Sequence, residues 1–189
     1  MATTYETILT AAYTMFAQEG FEKTSLARIA ERVGISKPAL FYHFRSKEQL
    51  FEVLFGIIVE RIRADTRVDF SDVTADRFRD TLIGLGLEDI RALRDDPTLG
   101  PALMQFSLLG LRNETIAALN REVEMCTRRK FEGIVEHGLN IGCIPSDSPT
   151  ASLGILCAIV STGISEEMIR HPDGEYENLW ETFVTGMFP

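Results

Sequence analysis

Apolar residues return every three or four positions along nearly the whole chain, and this spacing predicts helices throughout. Tyr5, Ile8, Leu9, Ala12 and Phe16 mark a first helix, with Thr3 and Thr4 as candidate N-caps and Gly20 as its stop. Leu26, Ile29, Ala30 and Val33 mark a short second helix, capped by Thr24 or Ser25 and ended at Gly34. A third starts at Ser36, tolerates Pro38 in its first turn, and carries Ala39, Leu40, Phe41 and Tyr42. Ser46 followed by Gln49 matches a capping box. It opens a long helix whose Leu50, Val53, Leu54, Ile57 and Ile58 face inward, running to about Arg63. Beyond it the same period predicts helices over 72–95, 98–112, 114–138, 149–170 and 174–187. The breaks fall at Asp95-Asp96-Pro97, near Asn113, from Gly142 to Pro149, and at His171-Pro172-Asp173-Gly174. No stretch alternates as a strand would, so the expected class is all-α.

The composition narrows the field further. A chain of 189 residues with 45% hydrophobic and 25% charged residues is globular, which excludes collagen-like, low-complexity and disordered readings. The longest apolar run, Leu153 to Val160 and broken only by Gly154, falls short of the ~20 residues of a membrane span, so no membrane partner is expected. The N-terminal residues show neither a basic nor an apolar signal region. Cys126, Cys143 and Cys157 are odd in number and widely spaced, which fits reduced thiols and a cytoplasmic location.

The net charge of −9 is unevenly spread. Residues 1–63 hold eight Lys and Arg against seven Asp and Glu, whereas residues 64–189 hold eleven against twenty-one. Between Gly20 and Leu50 the basic residues Lys23, Arg28, Arg32, Lys37, Arg45 and Lys47 outnumber Glu22, Glu31 and Glu48. This asymmetry suggests a front that faces a polyanion and an acidic, solvating body.

Thr24 to Lys47 places two short helices around the tight turn Gly34-Ile35-Ser36, the grammar of a helix-turn-helix. Gly34 can take the left-handed conformation the turn requires, and Ser36 can cap the helix that follows. In that second helix Leu40 and Phe41 are expected to point back at the scaffold. Lys37, Ala39, Tyr42 and His43 are left to point outward. Tyr42 and His43 can reach phosphate, and Lys47 adds charge where the free amides of the next helix already favour an anion.

Four segments carry a further signal: Phe16-Ala-Gln-Glu-Gly-Phe21, Thr24-Ser-Leu-Ala-Arg-Ile-Ala30, Val33-Gly-Ile-Ser-Lys-Pro-Ala-Leu-Phe-Tyr-His-Phe44 and Ser46-Lys-Glu-Gln-Leu50. Together they resemble the DNA-binding domain of the TetR family of bacterial transcriptional regulators, without gaps from about Ile8 to Ile58. The resemblance implies a three-helix helix-turn-helix DNA-binding head over residues 1–46. The implied remainder is a helical ligand-binding and dimerisation body over residues 47–189. It implies a homodimer that binds a roughly palindromic double-stranded operator, usually represses, and is released by a small-molecule effector. By position it implies DNA contacts at Ser25 and Arg28 on the first helix of the motif, at Ser36, Lys37, Pro38, Ala39, Tyr42 and His43 on the recognition helix, and at Lys47. Pro38, where many members carry Gly, and Phe41, where Tyr is common, depart from the pattern and leave the operator sequence open.

Residues 149–170 contain Leu153-Gly-Ile-Leu-Cys-Ala-Ile-Val160, apolar on every face, so this helix is expected to be buried on more than one side. In the last helix Tyr176, Leu179, Trp180, Phe183, Val184 and Met187 recur at helical spacing. The expected dimer interface is a four-helix arrangement using Leu153, Leu156, Ala158, Val160, Leu179, Trp180 and Phe183. Candidate effector-pocket residues are Met104, Phe106, Leu109, Phe131 and Cys157, with Arg112 or His137 as a polar anchor. No cofactor is expected. His137 and Cys143 lack zinc-ligand spacing, Glu166 and Glu167 are not a carboxylate dyad on a helix, and Gly84-Leu-Gly86 is not a phosphate loop. An enzyme is therefore not expected. The alternative reading is a helical ligand-binding protein, or an architectural DNA-binding protein without effector control.

Overall fold

The computed structural model describes residues 3–188, which form nine helices and no strand. They are α1 (Thr4–Glu19), α2 (Leu26–Val33), α3 (Lys37–His43), α4 (Lys47–Asp65), α5 (Phe78–Asp95), α6 (Leu99–Gly110), α7 (Glu114–Asn140), α8 (Thr150–Arg170) and α9 (Tyr176–Met187). The chain divides into two compact units. One takes the chain up to Arg61 together with Pro97–Glu122, and the other takes Ile62–Asp96 with the chain from Val123 onward.

The first unit is built on local signals that agree with one another. Thr3 and Glu6 cap α1 reciprocally: the Glu6 amide donates to the Thr3 hydroxyl and the Thr3 amide donates to the Glu6 carboxylate. At α4 the Gln49 amide donates to Ser46 Oγ as the capping box predicts. The return bond, however, reaches the Arg45 amide rather than that of Ser46. Ile8, Ala12, Phe16, Ile29, Leu40, Leu50, Phe51 and Phe55 are buried in the core of this unit. Phe106 of α6 completes it, lying parallel to Phe55 with centroids 3.8 Å apart and tilted against Phe51 at 4.4 Å. Thus the compact unit that holds the first three helices also takes in most of α4 and a segment some forty positions further on, a boundary different from 46/47.

The second unit packs α5 on α8 and α9. Its core holds Phe78, Leu82, Leu85, Ile90, Phe131, Ile134, Val135, Cys157, Ile164, Trp180 and Val184. Trp180 Nε1 donates to the Ile83 carbonyl at 2.9 Å. A Cβ added at Gly86 would overlap the indole ring, so only glycine allows this approach.

Residues 72–77 are not helical as the periodicity predicts; α5 begins at Phe78. The carbonyl of Val73 is bonded to His137 Nε2 at 2.7 Å and that of Ala75 accepts from Cys143, while Phe70 lies over Gly133. Long-range partners thus occupy backbone groups that a helix would have used internally. His137, a candidate polar anchor, is bonded there through Nε2.

In this unit buried Lys130 pairs with Asp89, whose side chain is 30% exposed. The Lys130 ammonium donates to both carboxylate oxygens of Asp89 at 2.6 and 2.8 Å and to the Leu85 carbonyl at 3.3 Å. Ser161 Oγ donates to Asp89 at 2.9 Å. The charge inside an apolar core is thereby fully partnered.

The helix α8 has 21 residues and holds an 18-residue window of mean hydropathy 1.4, long and apolar enough by length and composition alone to cross a membrane. A core helix has the same length and composition. Its Gly154, Cys157, Ala158, Ser161, Ile164 and Met168 are buried in the core of its own unit.

Candidate nucleic-acid interface

The motif is assembled by caps. Gly34, at φ 75° and ψ 28°, is left-handed, and it closes α2 with two backbone bonds, Ile35 N to Ala30 O and Gly34 N to Glu31 O. This is a Schellman motif, which reverses the chain in the space of one residue. Ser25 Oγ accepts the Arg28 amide at the start of α2, and Ser36 Oγ accepts the Ala39 amide at the start of α3. Pro38 falls in the first turn of α3, where its missing N–H leaves no helical bond unmade. Buried Thr24 ties the preceding loop to α1 by donating to the carbonyls of Gly20 and Met15.

Only Leu40 anchors α3 fully. Lys37, Pro38, Ala39 and Tyr42 are exposed, Tyr42 to 87%. His43 is half-buried, its ring beside those of Tyr5 and Tyr42 at centroid distances of 6.2 and 5.4 Å. Phe41 does not pack inward as expected. It is 42% exposed because Leu40 alone fills the core-facing position, and the Lys37 ammonium sits 5.7 Å from its ring centroid.

An open groove of about 400 Å³ runs along this face, lined by Glu22, Thr24, Ser25, Leu26, Ala27, Lys37, Phe41, Arg45, Ser46 and Lys47. It gathers the starts of α2, α3 and α4. Two expected contacts are tethered to the scaffold. The Arg28 guanidinium pairs with Glu19 and donates to the Lys23 carbonyl at 2.9 Å. The Lys47 ammonium donates to the Phe21 carbonyl at 2.7 Å and lies 4.0 Å from that ring's centroid. Phe41 and Arg45 are groove residues that the sequence reading left out of the site. Arg45 could have been found from its place immediately before the Ser46 cap, beside Lys47.

The expected pocket residues divide between the units. In the first, Phe106 is buried against Phe55, Leu109 is half-buried, and Met104 and Arg112 are exposed. In the second, Phe131 and Cys157 are core residues with no exposure, Phe131 packing on Trp180 at 5.4 Å. Burial pushes the Cys157 thiol up to about 12.

The expected interface residues also separate. Leu156 and Leu179 are exposed, while Leu153, Val160 and Phe183 are half-buried. Trp180 is wholly buried, and Ala158 nearly so, within the chain itself. Ile159, in the same helix as Ala158, is 60% exposed. Among the described residues no cluster of His, Cys, Asp or Glu is placed to hold a metal.

A Schellman-closed helix followed by a capped helix with one buried anchor and a bare outer face defines a helix-turn-helix protein. The profile of the bacterial regulatory proteins of the tetR family matches residues 8–54. The transcriptional regulator AcrR of Shigella flexneri is 36% identical over 172 residues, covering 89% of this chain and 80% of that protein. The transcriptional repressor Rv1474c of Mycobacterium tuberculosis is 33% identical over 95 residues, covering 48% of this chain and 51% of that protein. The solved structure of SmeT in complex with triclosan shares the fold at a TM-score of 0.77 and 15% identity, over 97% of this chain and 90% of that one. This chain belongs to the tetR family, whose members are transcriptional regulators and not enzymes.

Proposed function

We propose that this protein is a homodimeric repressor that binds a roughly palindromic operator through α3 and is released by a small molecule. The observation that carries this reading is the outer face of α3, where Lys37, Ala39 and Tyr42 are held out by a helix with a single fully buried anchor. A helix presented in this way can enter the major groove, Tyr42 and Lys37 reaching base edges or phosphates. The starts of α2 and α4 carry Ser25, Arg45 and Lys47 beside it. A repressing role is supported by the relatives named as repressors, and a small-molecule effector by the neighbour that holds triclosan.

Dimerisation would rest on the free apolar side of α8 and α9: Leu156, Ile159, Leu179 and Met187, with half-buried Val160 and Phe183. Only 28% of the most apolar window of α8 is buried within one protomer, and a second copy would cover the remainder. Effector contacts are proposed for Met104, Leu109 and Arg112 in the first unit. Reaching Phe131 or Cys157 would require the core of the second to open.

The reading is tested by selecting duplexes from a random-sequence library with purified protein at a stated salt concentration. Enrichment of two inverted half-sites separated by about one helical turn is the expected result. Salt-sensitive binding with no sequence enriched would overturn it in favour of an architectural role.

A further inference from the structure

We infer that Gln105 is a positioning residue for Lys47 and acts through Phe21, an inference that rests on the operator-binding reading above. Gln105 lies on α6, 84 positions from Phe21 in sequence, yet its Oε1 accepts the Phe21 amide at 3.2 Å. The carbonyl of the same residue accepts from the Lys47 ammonium at 2.7 Å, and its ring lies beneath that ammonium at 4.0 Å. The ring is itself wedged between Phe16 and Phe51, at 5.7 and 4.9 Å. Phe21 is therefore held by α6 through its N–H, by the first residue of α4 through its C=O, and by the core through its side chain.

The anchor at the N–H matters because of what precedes it. Gly20 sits at φ 85° and opens the turn between α1 and α2. Thr24 ties that turn from within, its hydroxyl on the Gly20 and Met15 carbonyls and its amide on the Phe21 carbonyl, which leaves the Phe21 N–H for a partner from outside the turn. The Gln105 side chain lies beside Gly20 and accepts from the next residue, so it supplies that partner. Lysine has a long flexible stem and three donors. With one donor on Phe21 and the ring face below, the Lys47 ammonium is fixed at the wall of the head groove, and its other two protons are left for a phosphate. Gln105 thus determines where this charge stands without touching DNA.

The test uses the full chain and a fluorescent duplex selected from the random library with wild-type protein. Affinity is measured across salt for wild type, Lys47→Met, Gln105→Leu and the double variant. Lys47→Met should weaken binding about tenfold and lower the salt slope by about 0.9, one phosphate contact. Gln105→Leu should weaken binding about threefold with part of the same loss of slope, and should add nothing once Lys47 is gone. Gln105→Glu keeps an acceptor for the Phe21 amide and should restore both. Amide exchange at Phe21 should quicken in Gln105→Leu and not in Gln105→Glu. Should Gln105→Leu fail to fold, Gln105→Ala replaces it in the same cycle. Wild-type affinity and slope in the folded Gln105 variant, or a loss that adds in full to that of Lys47→Met, would overturn the inference while leaving the operator reading intact. Failure of the wild type to enrich any duplex would instead bring down the operator reading on which it rests.

Discussion

Trp180 occupies the space that a side chain at residue 86 would need, and its indole N–H is spent on the Ile83 carbonyl one turn earlier in the same helix. The pair sets how closely α9 approaches α5. It also explains why the one tryptophan of the chain faces inward although the apolar stripe of α9 extends on both sides of it.

Replacing Gly86 by Ala should therefore lower stability by about 1–3 kcal/mol, the usual cost of overpacking a filled core. Gly84, two positions away on the same helix, meets nothing within 4 Å, and Gly84→Ala should raise stability by up to about 1 kcal/mol through helix propensity. Thermal melts of the two variants should shift in opposite directions.

Tyr42 has little of its surface covered, so Tyr42→Ala should leave the melting temperature within a degree or two of wild type. Affinity for the selected duplex should fall by about 1–3 kcal/mol. Leu40→Ala, which empties a fully buried site in the same helix, should instead lower stability by about 2–5 kcal/mol.

Ile159→Glu or Leu179→Glu places a charge on the exposed apolar side of α8 or α9, and sedimentation should report a monomer that melts as a folded protein. Ala158→Trp and Trp180→Ala act differently because both residues are buried in one protomer. They should unfold the chain rather than dissociate it, which circular dichroism separates from simple dissociation.

Cys157 supplies a pH dependence of known sign. Its folded thiol is held near 12 by burial, while the unfolded thiol ionises near the ordinary value of 9.0. Between those values the unfolded chain carries the fewer protons, so stability should fall as pH rises. The slope is about 1.4 kcal/mol per pH unit for a single group. Urea melts from pH 8 to pH 10 should show this component in wild type and lack it in Cys157→Ala. Thiol labelling of the native protein should begin at half-exposed Cys143, ahead of buried Cys126 and Cys157.

The head was legible in the sequence because its signals are local. Ser25, Gly34, Ser36 and Pro38 act within four residues of where they stand, and each occupies the cap or turn its chemistry suggests. Elements decided by distant partners were not legible. Asp72 to Arg77 lost their helix to His137 and Cys143, which no window of the sequence brings near them. Periodicity likewise marked the apolar stripe of α9 without saying which edge is inside. Tyr176, Trp180 and Val184, spaced by four, form the buried edge, while Leu179 and Met187 lie outside. At the site, the exposed tyrosine and lysine were found by position. The tethering of Arg28 and Lys47 by Glu19 and Phe21 is tertiary and became visible only with the fold.

The parallel contact between Phe55 and Phe106 bears on how such a protein can be cut and recombined. An excised fragment ending near Ile58 would carry every residue of the recognition motif and yet expose one face of Phe51 and Phe55 to water. Grafting this head onto another body would need the stretch from Pro97 to Glu122 to travel with it, so the unit of exchange is discontinuous in sequence.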